Sequence, residues 1–299
     1  MNEKRITVPS AELACRIYGD GPVSLVIEMG LGAAMAEWRQ LAERLSARHT
    51  VLLYQRAGFG ASGASALPRT PAYIVRELEQ LLERVPHTER ITLLAHSQGG
   101  LYAWRFAQLH PELVEHLVLL DPLSPEDYRF RLELTEDLFR KSGADKTEGM
   151  RQSLRLTRRH MGWLVRLCMR SAPPFCYCRS FSPADRREIL AMLGESRTYE
   201  TALADYEAAH DMNQLSGFLD RGAAPRARVT LVTHDSEIAC RELQKYGGAS
   251  EQEARKIEAL WQKIMQAYLA CAPNGEFVPA ENSSHSIHLT DADLICRVI

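Results

Sequence analysis

Ser97 lies in Leu93-Leu94-Ala95-His96-Ser97-Gln98-Gly99-Gly100, after the apolar run Ile91 to Ala95 and before a segment, Leu101 to His110, with apolar residues at helical spacing. This pattern predicts a strand, a sharp turn and a helix, with the serine hydroxyl exposed at the apex. Ala95, Gly99 and Gly100 keep the neighbourhood small, as a strained turn against a crossing helix requires. A serine attacks a carbonyl only when a base removes its proton and a third group orients that base. Acyl transfer is therefore the chemistry to look for.

The candidate base is His285, in Asn282-Ser283-Ser284-His285-Ser286-Ile287-His288. It follows the last predicted strand, Glu276 to Pro279, which places it at the carboxyl edge of a sheet beside the serine. His288 ranks second because it lies closer to the final helix, and His96 reads as a packing residue. Asp121, after the strand Leu117 to Leu120, is the favoured acid. Asp235 and Glu237, after the strand Arg228 to Thr233, are the alternatives, in a stretch (His234-Asp235-Ser236-Glu237) without a small turn residue before the acid. An Asp-Pro pair at position 121 could also simply close its strand.

Acyl transfer also needs donors for a developing oxyanion, each worth roughly 3 kcal/mol. The backbone N–H of Gln98 is one candidate. The other is Leu31 N–H, in Met29-Gly30-Leu31-Gly32 after the strand Val23 to Glu28. A glycine-rich loop can instead hold phosphate, but this one lacks both the further glycine of a dinucleotide fingerprint and the lysine of a P-loop.

The elements that must position these groups alternate. Strands are expected at Ile6-Thr7-Val8, Glu12 to Tyr18, Val23 to Glu28 and Val51 to Tyr54, with a helix carrying Trp38, Leu41, Ala42 and Leu45. Thr70-Pro71 opens a helix with Ile74, Leu78, Leu81 and Leu82 on its apolar face. The alternation predicts an α/β chain with a mostly parallel sheet and helices on both faces. From Pro122 to about Gly222 no strand is expected; the stretch is helical and arginine-rich, with an N-cap at Ser182-Pro183-Ala184-Asp185. A long helix carrying Ile257, Leu260, Trp261, Ile264, Met265 and Tyr268 follows the strand at 228–233, and a last helical turn begins at Leu289. Residues 1–121 and 222–299 are thus expected to form one core, and 122–221 an inserted helical cap.

At 299 residues and 45% hydrophobic content the chain can bury a sizeable core. A net charge of −2 gives no reason to expect nucleic acid as a partner. Seven scattered cysteines form no even disulfide framework, the N-terminus lacks an apolar signal core, and no apolar run is long enough to span a bilayer. Cytoplasmic location is the resulting expectation. Cys176-Tyr177-Cys178 has no matching pair at zinc spacing, so no metal is expected.

Taken together, Gly30-Leu31-Gly32 with Trp38, Arg56 with Gly58, Gly60 and Ser62, the serine segment, and Ser284-His285 with Ile287-His288 resemble the α/β-hydrolase superfamily, in particular a bacterial capped carboxylesterase-like branch. The resemblance spans nearly the whole chain outside the insertion. It implies a cofactor-free Ser-His-acid hydrolase with a helical cap, and it supports Asp121 as the acid. Two positions depart from the pattern: Glu28-Met29 stand where many members have a histidine, and Gln55 replaces the usual aspartate before Arg56.

Arg151, Arg155, Arg159, Arg166 and Arg170 recur at helical spacing and read as a solvated face, in a stretch that Gly162 interrupts. Trp163, Phe175, Tyr177 and Met192 either line an acyl pocket or form the cap's own small core. The leading expectation is hydrolysis of a small-molecule carboxylic ester. A lactonase, an aminopeptidase for small residues and a perhydrolase are rivals on the same fold. A hydrolase-fold ligand-binding or signalling protein is the rival from another class. Serine rather than aspartate at position 97 argues against chemistry through an alkyl-aspartate.

Overall fold

A computed structural model describes residues 3–215, Phe218 and residues 225–299. Among the described residues, eight strands form one sheet: β1 (Lys4–Val8), β2 (Ala11–Tyr18), β3 (Val23–Glu28), β4 (Val51–Tyr54), β5 (His87–His96), β6 (Val114–Leu120), β7 (Arg228–Thr233) and β8 (Gly275–Pro279). Their order is β1-β2-β4-β3-β5-β6-β7-β8. The pairs β1/β2 and β2/β4 are antiparallel. All others are parallel, so the carboxyl ends of β3 to β8 open on one edge. This is the α/β-hydrolase fold.

The central strands are apolar on both sides because helices cover both faces. On one face α2 (Pro71–Leu82), α3 (Gln98–Leu109) and the long α11 (Glu251–Leu269) pack Leu78, Leu101 and Ile264 against Leu93, Leu117 and Val229. On the other, α1 (Met35–Leu45) and the C-terminal α13 (Ala292–Val298) bring Trp38, Leu41 and Ile295 to Leu94, Val118 and Val232. The Thr70 side chain accepts from Tyr73 N, with Pro71 in the first turn of α2.

Between β6 and β7 the described residues contain helices and no strand: α4 (Arg129–Glu133), α5 (Glu136–Ser142), α6 (Thr147–Arg158), α7 (Gly162–Met169), α8 (Pro183–Leu193) and α9 (Ser196–Ala209). The expected junction at 221–222 lies outside the described residues. The arginine stripe is divided between two helices, α6 and α7, with His160 at φ +60° in the break. Gly162 allows the turn to close on α8, since a Cβ there would lie 2.2 Å from the Gly194 carbonyl oxygen. Exposed Arg151, Arg155 and Arg158 pair with Glu207, Glu148 and Glu200, as a solvated face does. Two helices follow β7 and β8 respectively, α10 (Ser236–Gly247) and the short α12 (Ile287–Thr290).

This segment is tied to the helices that flank the sheet through charged side chains. Asp205 of α9, fully buried, takes Arg69 Nε at 2.8 Å on Oδ1, and Arg69 also reaches Glu77 of α2 at 3.1 Å. Asp185 of α8 takes Arg39 of α1 at 2.8 and 2.6 Å.

Candidate active site

Ser97 sits between β5 and α3 at φ +51° and ψ −127°, a strained conformation for a residue with a side chain. Its N–H donates to Leu120 O at 3.0 Å, and its carbonyl accepts from Gly100 and Leu123, both at 2.8 Å. The turn is thus pinned to the end of β6. Small neighbours are a steric necessity here. A Cβ on Gly99 would lie 2.5 Å from the carbonyl oxygens of both Glu28 and Met29.

His285 Nε2 lies 3.1 Å from Ser97 Oγ, and its Nδ1 lies 2.7 Å from Asp121 Oδ2. The loop after β8 therefore brings His285, not His288, to the serine. His288 is buried and stacks on Trp38 with ring centroids 4.0 Å apart. His96 packs as expected, 4.8 Å from the rings of both His285 and His288, and its Nε2 lies 2.9 Å from the His285 carbonyl oxygen. A carbonyl only accepts, so His96 donates from Nε2; burial pushes its pKa down to about 3, which keeps it neutral.

Asp121, at φ +46°, is the carboxylate brought to His285. Burial works to raise its pKa, but the adjacent His234 and His285 outweigh this and hold it well below the usual carboxylate range. Asp235 and Glu237 are placed elsewhere. Asp235 caps α10, accepting from Glu237 N and Ile238 N through Oδ1, and through Oδ2 from Asn282 N at 3.1 Å. It therefore anchors the backbone of the histidine loop rather than the imidazole. Glu237 is exposed and pairs with Arg255 at 2.8 Å.

Leu31 and Gln98 line the same cavity as Ser97 and His285. Gln98 N–H is in the first turn of α3, where no intrahelical acceptor exists. The Leu31 loop is held from below by Arg56, whose guanidinium donates to Met29 O, to Gly30 O at 3.0 Å and to Glu28 Oε1 at 2.5 Å. The two departures from the family pattern thus have structural uses. Glu28 neutralises buried Arg56, while Gln55 accepts from Met35 N at 3.1 Å and donates to Ala33 O at 2.8 Å, fixing the start of α1.

The cavity measures about 460 Å³, with Leu123, Phe130, Tyr206, Leu243, Ile257 and Trp261 among its walls and Asp127, Lys146 and His210 among its polar groups. The three aromatic residues expected at an acyl pocket are not among them. Trp163 is 57% exposed on α7. Phe175 is buried with Phe59, Phe181, Ile189 and Met192 in a separate core. Tyr177 Oη donates to Glu242 Oε1 at 3.1 Å. Helices α7 and α8 pack on each other, and residues of α4, α5, α9, α10 and α11 wall the cavity.

One site residue was not singled out by sequence reasoning. His234, just past β7, places Nδ1 2.8 Å from Asp121 Oδ2 and Nε2 3.0 Å from Glu258 Oε2. Burial opposes its protonation, but Asp121 and then Glu258 override it and raise the pKa to about 10. Among the described residues no group of three or more His, Cys, Asp or Glu side chains could hold a metal ion, and no helix is long and apolar enough to cross a membrane.

Residues 23–161 match the family model described as the alpha/beta hydrolase fold. The chain is 36% identical over 101 residues to the human (lyso)-N-acylphosphatidylethanolamine lipase, an alignment covering 33% of this chain and 30% of that protein. It spans less than half the length of the curated relatives it matches, 41% and 33% for two further examples. Among solved structures, the epoxide hydrolase CorEH superposes with a TM-score of 0.69 at 16% identity, over 99% of this chain and 96% of its own. An enol-lactonase from Burkholderia xenovorans does so with a TM-score of 0.63 at 15% identity, over 99% and 97%. Identities this low speak to the fold alone. Sheet order, elbow geometry and the matched segment are together those of the α/β-hydrolase fold.

Proposed function

We propose that this protein is a serine hydrolase that cleaves carboxylic esters through an acyl-enzyme on Ser97. The observation that carries this reading is the continuous line from Ser97 Oγ through the His285 ring to Asp121 Oδ2, with steps of 3.1 and 2.7 Å, opening on the cavity. In this mechanism His285 takes the serine proton as Oγ bonds to the substrate carbonyl carbon, while Asp121 holds the imidazole and balances its charge. The Leu31 and Gln98 N–H groups receive the oxyanion. The imidazolium returns its proton to the leaving alkoxide as the ester C–O bond breaks. A water deprotonated by His285 then attacks the acyl carbon, the bond to Ser97 Oγ breaks, and the imidazolium gives its proton back to Oγ as the acid leaves. The helices from α4 to α9 act as a cap, and the largely apolar wall of Leu123, Phe130, Leu243 and Trp261 suits an acyl chain. Residues 1–121 and 222–299 are the catalytic core in this reading.

A fluorophosphonate probe tests it. Wild-type protein should be labelled and should hydrolyse short p-nitrophenyl esters, and Ser97→Ala should do neither. An unlabelled, folded wild type would overturn the nucleophile assignment and favour a ligand-binding role for the same fold. Faster turnover of lactones or aminoacyl amides than of esters would overturn the substrate class alone.

A further inference from the structure

His234 is a buried histidine for which the line of Ser97, His285 and Asp121 has no use. Strands β6 and β7 run parallel with Leu120 paired to Val232, so the residues just beyond the two strand ends come together. The His234 backbone N–H donates to Asp121 Oδ1 at 3.0 Å, and its Nδ1 lies 3.0 Å from Oδ1 and 2.8 Å from Oδ2. On the far side Nε2 meets Glu258 Oε2 at 3.0 Å. An ionised carboxylate can only accept, so a ring with a carboxylate at each nitrogen donates from both and carries a positive charge. Glu258 is itself fixed by Ser236 Oγ at 2.7 Å and Gln262 Nε2 at 2.8 Å, and Trp261 covers the His234 ring with centroids 4.1 Å apart.

We propose that His234 is a positioning residue of this site: clamped between Asp121 and Glu258, it turns the Asp121 carboxylate toward His285, a role that rests on Ser97 being the nucleophile. Three charges then run outward from His285, negative at Asp121, positive at His234 and negative at Glu258. Their order gives the arrangement a signature. Removing the positive member strengthens the negative field at His285 and its hold on a proton. Removing the outer negative member weakens both. Among the described residues, His96, His288 and Lys146 also act on Asp121 or the His285 ring, and Asp127, His210 and Glu242 line the same cavity; all are common to every variant compared.

The test measures kcat and KM between about pH 4 and 10, on an ester that the wild type turns over, for wild type, His234→Asn and Glu258→Gln. The acid limb of kcat/KM should move up by about one pH unit in His234→Asn, a charge one carboxylate away from the His285 ring, and down by a smaller amount in Glu258→Gln, whose charge lies beyond the His234 ring. In His234→Asn, kcat should fall roughly 10- to 100-fold from misplacement of Asp121, with KM within about threefold. A merely structural role would lower thermal stability without moving the two limbs in opposite directions. Folded variants with both limbs unmoved would overturn the inference. If His234→Asn does not fold, Glu258→Gln decides alone by the downward shift or its absence. A wild type with neither turnover nor Ser97 labelling would instead overturn the nucleophile assignment, a separate failure seen before any variant is compared.

Discussion

Arg56 Nη2 donates to the carbonyl oxygen of Gly30 at 3.0 Å, one residue before the Leu31 N–H proposed to receive the oxyanion. Both partners are beneath the surface, and the same guanidinium is neutralised by buried Glu28. The loop therefore owes its place to a planar fork that meets two carbonyls and a carboxylate at once, which an ammonium cannot reproduce. Arg56→Lys should keep the charge and lose the fork. The expected outcome is a fall in kcat of roughly 10- to 100-fold with little change in KM. Arg56→Met should in addition lower stability by about 3 to 5 kcal/mol, because it leaves Glu28 buried without its cation. Urea denaturation followed by steady-state kinetics checks both, and wild-type kcat in Arg56→Lys would show that the loop is held by other means.

The three carboxylates weighed for the triad should separate cleanly. Asp121→Asn should reduce kcat by about 10³- to 10⁴-fold, since an amide at that place favours the wrong tautomer of His285. Asp235→Asn should cost about 1 kcal/mol of stability through a weaker helix cap and a looser Asn282 backbone, with a much smaller effect on kcat. Glu237→Gln removes only an exposed ion pair and should change neither. Near-wild-type turnover by Asp121→Asn would remove Asp121 from the mechanism.

What could be read in the residues was local. Strand, turn and helix around Ser97 were written in apolar spacing and small side chains, and β3, β4 and β7 have the boundaries the sequence suggests. Ser97 and Asp121 sit just past the ends of β5 and β6, and His285 in the loop after β8, so chain order brings them to one edge. His234 and Glu258 could not be found this way. His234 is 113 residues from Asp121 and 24 from Glu258, and their meeting depends on the parallel register of β6 and β7 and on the rotation of α11. A usable signal did exist: residues just beyond adjacent parallel strands share an edge, so a histidine at 234 faces an aspartate at 121. The cavity wall was illegible for a related reason. A short apolar helix such as α7 has no pattern that states which neighbour it will face, and Trp163 turns to solvent.

Stability should fall as pH rises above neutrality. The folded pKa of His234 is raised from 6.5 to about 10, so its stabilisation is complete below about pH 6.5 and is lost as pH rises toward 10. The folded pKa of His96 is lowered by burial from 6.5 to about 3, so between those values the unfolded chain takes up a proton that the folded chain refuses. The contributions of His96 and Asp121 weaken as pH falls, that of Asp121, whose pKa is also lowered, once it begins to be protonated in the unfolded chain. Buried Glu37, with a pKa pushed up to about 7, acts in the opposite direction. Each group sets a slope of at most about 1.4 kcal/mol per pH unit. Urea midpoints should therefore decline above about pH 6.5, and His234→Asn should abolish most of that decline. A wild-type midpoint that holds or rises between pH 7 and 9 would contradict the charged state assigned to His234.

Substrate length should be governed by α10 and not by α7. Leu243 is half-buried on α10 and faces the cavity beside Ile257 and Trp261, whereas Trp163 stands in solvent. Replacing Leu243 by Trp fills space that a long acyl chain would occupy, and each excluded methylene is worth about 1 to 3 kcal/mol of discrimination. In Leu243→Trp, kcat/KM for an octanoyl ester should fall by about tenfold or more while that for an acetyl ester stays within about threefold. Trp163→Ala should leave the ratio of the two at its wild-type value, because nothing on that side chain meets the cavity. A changed ratio in Trp163→Ala with none in Leu243→Trp would mean that the acyl chain leaves Ser97 toward α7, and that the cavity between α9 and α11 holds the alcohol instead.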